Sequence, residues 1–254
     1  QALKFKPNYP EAHYNLSVSL LLTGDYKKGW EEYEYRSKKN NNPSMPNAHP
    51  KSKRWDGRIL QPGDNLLLIS EQGLGDTLQF MRYALYLDNQ GVDVLLCCPE
   101  KLHGLINTSR ICSKLLTPDQ ANVISDSPWI PLLSLPRHLG INPNMPIISR
   151  PYIFTQDILI RKWKDILSSE TNPIIGINWQ GNPEAEKAGL RNRSFPLEMF
   201  APIAYKTSCR FLALQKGFGS EQLESCSFKD KFVYCQNQIN NIWDFLETAA
   251  IIAN

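Results

Sequence analysis

The sequence predicts an α/β protein: an all-α helical hairpin, then two units built on parallel sheets, the second one truncated. Three observations predict it. Two short continuous apolar runs, residues 65–70 (NLLLIS) and 174–179 (IIGINW), read as strands buried on both faces. After each run come a Gly-containing loop and a helical pattern, the β-α-β order of a parallel sheet covered by helices. Residues 10–36 carry apolar residues at helical spacing instead.

In the hairpin, Ala12, Leu16, Leu20 and Leu21 recur at helical spacing. Gly24-Asp25 breaks the pattern, and a second stripe runs through Trp30, Tyr33 and Tyr35. Residues 40–62 are polar and proline-rich and read as a linker, with Trp55-Asp56-Gly57 a turn anchored by a buried tryptophan. The first α/β unit spans 63–155: strand 65–70, turn 71–76, helix 77–88 through Leu78, Met81 and Leu85, and strand 92–97. Short strands are expected at 114–116 and 123–124, and a loop at 129–135 among Pro128, Pro131 and Pro136. A linker helix covers 156–171, stopped by Asn172-Pro173.

The second unit, 172–254, opens with strand 174–179 and a polar loop to Arg193. A helix begins at Pro196 and runs through Met199 and Ile203. Strand 210–214, turn 215–220, a third strand at 232–234 and an amphipathic helix 239–252 follow. A parallel sheet calls for another strand next, so the chain reads as a piece of a longer protein, cut at both ends.

Composition narrows the class. Apolar residues are 42% and charged residues 21% of 254, enough to build a core and too apolar for a disordered tail. No apolar run reaches the roughly 18 residues that span a bilayer, and no signal peptide is visible, so a cytoplasmic location is expected. The net charge of +3 is too weak to argue for nucleic acid. Six cysteines without C-x-x-C pairs and four scattered histidines argue against structural zinc, and the cysteines read as reduced and structural.

The sharpest candidate site is 71–76, Glu71-Gln72-Gly73-Leu74-Gly75-Asp76, between strand and helix. Ligands of open α/β sheets bind beyond the carboxyl ends of strands, and a helix start offers unpaired N–H groups. Gly73 and Gly75 let a ligand come close. Asp76 has two readings, a helix cap or a general base at the cleft floor, and the residues alone leave both open. A dinucleotide fingerprint fails at Leu78, where the third glycine is required, although Glu100 stands where the ribose-binding acid would. A P-loop is excluded, because no Gly-Lys-Ser/Thr follows. In the second unit Gln180, Gly181, Asn182, Lys187, Arg191 and Arg193 fill one strand-end loop, and Gln215-Lys216-Gly217 with Glu221 the next. Arg193 and Lys216 are placed to converge on an anion such as a diphosphate, or else to form a solvated basic surface.

Two resemblances come from these residues. Residues from Pro10 onward, with Leu16, Ser17, Leu20, Gly24, Tyr26, Gly29 and Tyr33 at consensus spacings, resemble one tetratricopeptide repeat. Gly29 and Arg36 depart from its preference for small or alanine residues, as in an atypical terminal repeat. Residues 71–80 (EQGLGDTLQF) resemble the N-terminal motif of tetratricopeptide-repeat glycosyltransferases related to the heptosyltransferases (family 9). The similarity extends to 179–183 (WQGNP), 193–197 (RSFPL), 214–217 (LQKG) and 244–250 (DFLETAA), and so over nearly the whole chain.

That resemblance implies a GT-B protein with two Rossmann-like domains, the first for the acceptor and the second, truncated here, for a nucleotide-diphosphate sugar. It implies an inverting, metal-independent transfer with no cofactor. Asp76 falls on the family's base, Arg193 on a donor-side cation that the family supplies as Lys, Lys216 on a phosphate contact and Glu221 on an acid that contacts the donor nucleoside. Glu71, Gln72, Gly73, Gly75 and Gln180 complete the expected substrate-binding set. The family's Asp-Thr-Ala and His donor segment would begin after Asn254. The partners implied are a sugar donor, a glycan or protein acceptor, and a protein bound through the helical repeat. The competing class is a non-catalytic interaction protein with a degenerate GT-B remnant.

Overall fold

Residues 1–40, 44–142, 144, 150–187 and 193–254 are described by the computed structural model. They divide into two units, Gln1–Phe154 and Thr155–Asn254.

The first unit begins with α1 (Ala2–Phe5), α2 (Pro10–Thr23) and α3 (Tyr26–Tyr33), the last continued by a 3-10 turn, Glu34–Lys38. Pro10 opens α2 at a position where its missing N–H is harmless. Gly24 closes α2 at φ 90°, its N–H returning to the Leu20 and Leu21 carbonyls. Asp25 caps α3 by accepting the Lys28 N–H at 3.3 Å. Gly29 is buried where α2 and α3 meet, and a Cβ there would stand 2.7 Å from Leu21 Cδ2. Close helix approach therefore accounts for a glycine where the repeat pattern prefers alanine.

The sheet follows as β1 (Asn65–Ile69), α4 (Leu74–Asn89), β2 (Asp93–Cys97), α5 (His103–Ser109), β3 (Lys114–Leu116), α6 (Pro118–Asn122), β4 (Trp129–Pro131) and α7 (Leu135–His138). Its order is β3-β2-β1-β4, with every pairing parallel. Leu66, Leu67, Leu68 and Ile69 are fully buried, which explains a continuous apolar run in place of alternation.

Three expectations for this unit are corrected. Helix α4 starts at Leu74, not at residue 77, because Gly73 caps it and Asp76 accepts the Gly73 N–H. Residues 123–124 are not a strand: Thr117, Pro118 and Gln120 set up a capped helix, and Val123 ends it. Residues 129–131 are not loop but the strand β4, which pairs with Leu67–Ile69 despite Pro131.

The stretch expected to be a linker is strapped to the sheet instead, apart from residues 41–43, which lie outside the described residues. Pro46 bridges Glu71, Asn47 donates its N–H to the Ser70 carbonyl at 3.0 Å, and Trp55 donates its N–H to the Trp129 carbonyl at 2.8 Å. Ala48 is buried with Leu67, Ile69, Cys97 and Leu116. Hairpin, strap and sheet thus cluster as one unit rather than as separate modules.

The second unit holds α8 (Asp157–Leu167), β5 (Ile174–Ile177), α9 (Pro183–Lys187), a 3-10 turn Leu197–Phe200 leading into α10 (Ala201–Lys206), and β6 (Arg210–Ala213). Two further 3-10 turns, Ser220–Glu224 and Lys229–Lys231, precede α11 (Gln236–Asn240) and α12 (Phe245–Ile252). Strands β5 and β6 pair in parallel. Phe211 and Ala213 point into one core with Trp179, Leu197 and Phe228, and Leu212 into the other with Trp163, Val233 and Ile251, the two-residue period of a strand buried on both faces.

Here the expected strand at 232–234 is reduced to one bridge, Phe232 to Phe211. The expected helix 239–252 is two helices. Asp244 interrupts it by capping α12, accepting the Leu246 N–H at 2.9 Å.

Candidate functional site

In the first unit, β1 has β2 on one side and β4 on the other, so the crevice beyond the ends of β1 and β4 is the topological switch point where open α/β sheets take ligands. The 71–76 loop lies there. Gln72 and Gly73 are exposed, Asp76 is half-buried, and Thr77 is buried. Asp76 Oδ2 accepts the Gly73 N–H at 3.0 Å, so capping is a role the structure gives it. Among the described residues nothing lies within 4 Å of a Cβ placed on Gly75, and no contact with them demands a glycine there.

The crevice contains a residue that sequence reasoning did not place there. Arg36, 2% exposed, reaches in from the hairpin. Its Nε donates to Glu71 Oε2 at 3.1 Å, and its Nη2 to Glu71 Oε1 at 2.6 Å and to Ser134 Oγ at 2.8 Å. Its Nη1 donates to the Tyr33 carbonyl and to Glu34 Oε1. Every guanidinium N–H is used, the condition under which a buried ion pair holds together without a large net penalty. Burial works against the charge on Arg36, but Glu71 raises its pKa. Burial also pushes Glu34 up, and Arg36 and Arg54 outweigh it, so its carboxyl titrates below the usual range.

Both carboxylate oxygens of Glu71, which the expected binding set assigns to a ligand, are thus bonded within the protein. Glu71 is 1% exposed, and Oε2 also accepts from Ser44 Oγ at 2.9 Å. Gln72 stands at φ 61°, in the left-handed region that L residues rarely occupy. Its Nε2 donates to Tyr33 Oη at 3.0 Å and to Ser44 Oγ at 3.1 Å. Burial pushes the Tyr33 hydroxyl up to about 12. The visible signal for Arg36 was its departure from the repeat pattern: an arginine in place of a small residue had to find a partner.

In the second unit, the loops leaving β5 and β6 are knitted together by Gln215, 5% exposed. Its Oε1 accepts the N–H groups of Trp179 at 3.3 Å and Gln180 at 3.0 Å, and its Nε2 donates to the Phe218 carbonyl at 2.8 Å. Trp179 Nε1 donates to the Gly219 carbonyl at 3.1 Å. Arg193 and Glu221 are exposed on these loops. Lys216 is half-buried, and its ammonium donates to the Ile239 carbonyl in α11. Burial lowers its pKa. The expected convergence of Arg193 and Lys216 thus starts with Lys216 already bonded to the protein, though an ammonium carries three N–H groups. Arg191 and the side chain of Lys187 lie outside the described residues.

A cavity of about 660 Å³ in this unit is elsewhere. Leu167, Ile174, Leu212, Leu214, Ile251 and Ile252 line it, an apolar groove that touches none of the expected site residues. Among the described residues no group of three or more His, Cys, Asp or Glu is placed to hold a metal ion. No helix among them is long and apolar enough to cross a membrane. The six cysteines are free thiols, and burial raises Cys97 to about 11 and Cys98 and Cys112 to about 12.

No protein-family profile matches the chain, and no curated protein matches it in sequence. Among solved structures, the crystal structure of the glycosyl transferase family 9 from Veillonella parvula DSM 2008 is similar to it. Identity is 11%, each chain is covered over 69% of its length, and the TM-score is 0.45. Likeness at that level assigns no activity to this chain.

Proposed function

We propose that the chain belongs to a glycosyltransferase of the heptosyltransferase-like type, with two Rossmann-like domains and a tetratricopeptide-like hairpin. The reading is supported chiefly by the 71–76 loop: Gly73, Gly75 and Asp76 open α4 at the switch point of a parallel sheet. The motif resemblance supplies the chemistry. Asp76 takes the proton from an acceptor hydroxyl, the oxygen attacks the anomeric carbon of a nucleotide-diphosphate sugar with inversion, and the bond to the diphosphate oxygen breaks with its electron pair. Arg193 and Lys216 stabilise the departing diphosphate, Glu221 contacts the nucleoside, and no metal is required.

One observation favours the non-catalytic alternative. Arg36 takes up the carboxylate of Glu71, which the expected binding set assigns to a ligand. The same experiment separates the two readings. The protein, expressed from its full reading frame, is incubated with UDP-, GDP- and ADP-sugars and a set of methyl glycosides as acceptors, and released nucleoside diphosphate is measured. We expect release, and Asp76→Asn to lower turnover about 10²–10⁴-fold, because an amide takes no proton at neutral pH. Asn still accepts the capping bond, so the melting temperature should hold. Full turnover by Asp76→Asn would remove the base, and no release from any donor would favour the scaffold.

A further inference from the structure

The hairpin does more than lean on the sheet, because its side chains reach the loop that carries the candidate base. We propose that Arg36 is a positioning residue for that loop, so that the helical hairpin is a working part of the acceptor site and not a detachable module. The inference rests on the transferase reading for its ligand, a sugar hydroxyl, but not for its structural basis.

The basis is a closed polar ring. Arg36 grips Glu71 in a fork, Glu71 accepts from Ser44, Ser44 accepts from Gln72, and Gln72 donates to Tyr33. The Arg36 guanidinium then lies over the Tyr33 ring at 4.8 Å, which closes the ring. Tyr33 and Arg36 come from the hairpin, Ser44 from the strap, and Glu71 and Gln72 from the end of β1. Gln72 is one of two non-glycine residues among those described with positive φ, and its side chain is anchored to Tyr33 and Ser44. A backbone held in a rarely populated conformation persists when its surroundings over-determine it. Here the surroundings are the ring, and Gln72 immediately precedes Gly73, whose N–H meets Asp76. The ring therefore fixes the start of α4 and the direction in which Asp76 and the Gly73–Gly75 backbone face a ligand. A fork of this kind needs arginine: a lysine supplies the charge without the planar pair of donors.

The test compares the wild-type chain with Arg36→Lys and with Arg36→Met/Glu71→Met, the double change replacing a buried pair with apolar groups of similar length. Amide hydrogen exchange at Gly73 and Thr77, whose N–H groups bond Asp76 Oδ2 and the Gly73 carbonyl, is read beside the melting temperature and the donor KM and kcat. We expect exchange at these amides to quicken about tenfold or more in the double variant, with exchange in β1 and β2 unchanged. We also expect kcat to fall about tenfold with donor KM unmoved, and Arg36→Lys to lie between. If the double variant does not fold, Arg36→Lys alone decides by the same exchange readout. Unchanged exchange at the loop in a folded variant overturns the proposal, even if Asp76→Asn abolishes transfer. Faster exchange in a chain that transfers no sugar sustains the positioning role and removes the transferase reading instead.

Discussion

Gly219 lies against Gln180 so closely that a Cβ on it would stand 2.3 Å from Gln180 Cγ and 3.0 Å from its Cβ. Gly219 also has φ 87°, a conformation that disfavours any L side chain. Both atoms belong to the stem of Gln180, so rotating the amide end away does not relieve the clash. We expect Gly219→Ala to destabilise the chain by about 2–4 kcal/mol, since left-handed strain alone costs roughly 1–2. Gly24 is the control: at φ 90° it has nothing within 4 Å of a Cβ, so Gly24→Ala reports the strain without the clash. Urea unfolding of both variants checks this. Equal losses would mean that Gln180 moves aside freely.

Strands β1, β2, β5 and β6 were visible in the sequence because a continuous apolar run has one stable use at that length. Strand β4 was not, because Pro128 and Pro131 mark a loop locally, and only the open edge of β1 rescues residues 129–131. The helix 239–252 was overextended because its apolar spacing hides the cap at Asp244. At the candidate site, a helix start close to Gly73, Gly75 and Asp76 is readable from their order, but not that Gly75 and Asp76 lie within its first turn, since the helix opens at Leu74 and not at Thr77. The burial of Glu71 is not readable, since its partner Arg36 is 35 residues away and only the fold joins them. The same holds for Gln215, which looked like one more polar loop residue until it was found bonding Trp179 and Gln180.

The hairpin contains a pH-sensitive contact. His13 faces Glu32 through Nδ1 and the Pro7 carbonyl through Nε2 at 2.7 Å, and its ring stacks on Tyr35 at 3.7 Å. Two acceptors suit the doubly protonated imidazolium. Burial alone would lower its pKa, and Lys38 also opposes the charge, but the bonds to Glu32 and Pro7 prevail and raise it. A raised folded-state value means that the stabilisation is fully present below the ordinary histidine range. It is lost as pH rises through the folded-state value. The advantage in melting temperature of wild type over Glu32→Gln should therefore shrink as pH rises above the ordinary histidine value near 6.5, where ordinary carboxylates stay ionised. A difference that grows as pH rises would overturn the assignment of a charged His13 facing Glu32.

Gly75 offers a test that separates binding from folding. It sits in the first turn of α4, exposed, with nothing within 4 Å of a Cβ placed on it. A glycine inside a helix is less stable than alanine by about 0.5–1 kcal/mol, because the unfolded chain has more freedom to lose. Nothing in the protein compensates for that loss, so Gly75→Ala should raise stability by about that amount, observable as a shift of roughly 2–4 °C per kcal/mol. If the residue is glycine because a ligand approaches the backbone at the helix start, the added methyl should at the same time reduce sugar transfer by about tenfold or more. Stability up and transfer down is the expected pair of results, measured by thermal unfolding and nucleoside diphosphate release on the same sample. Stability up with transfer unchanged would mean that no ligand comes close to Gly75, and the candidate site would have to be moved away from the start of α4.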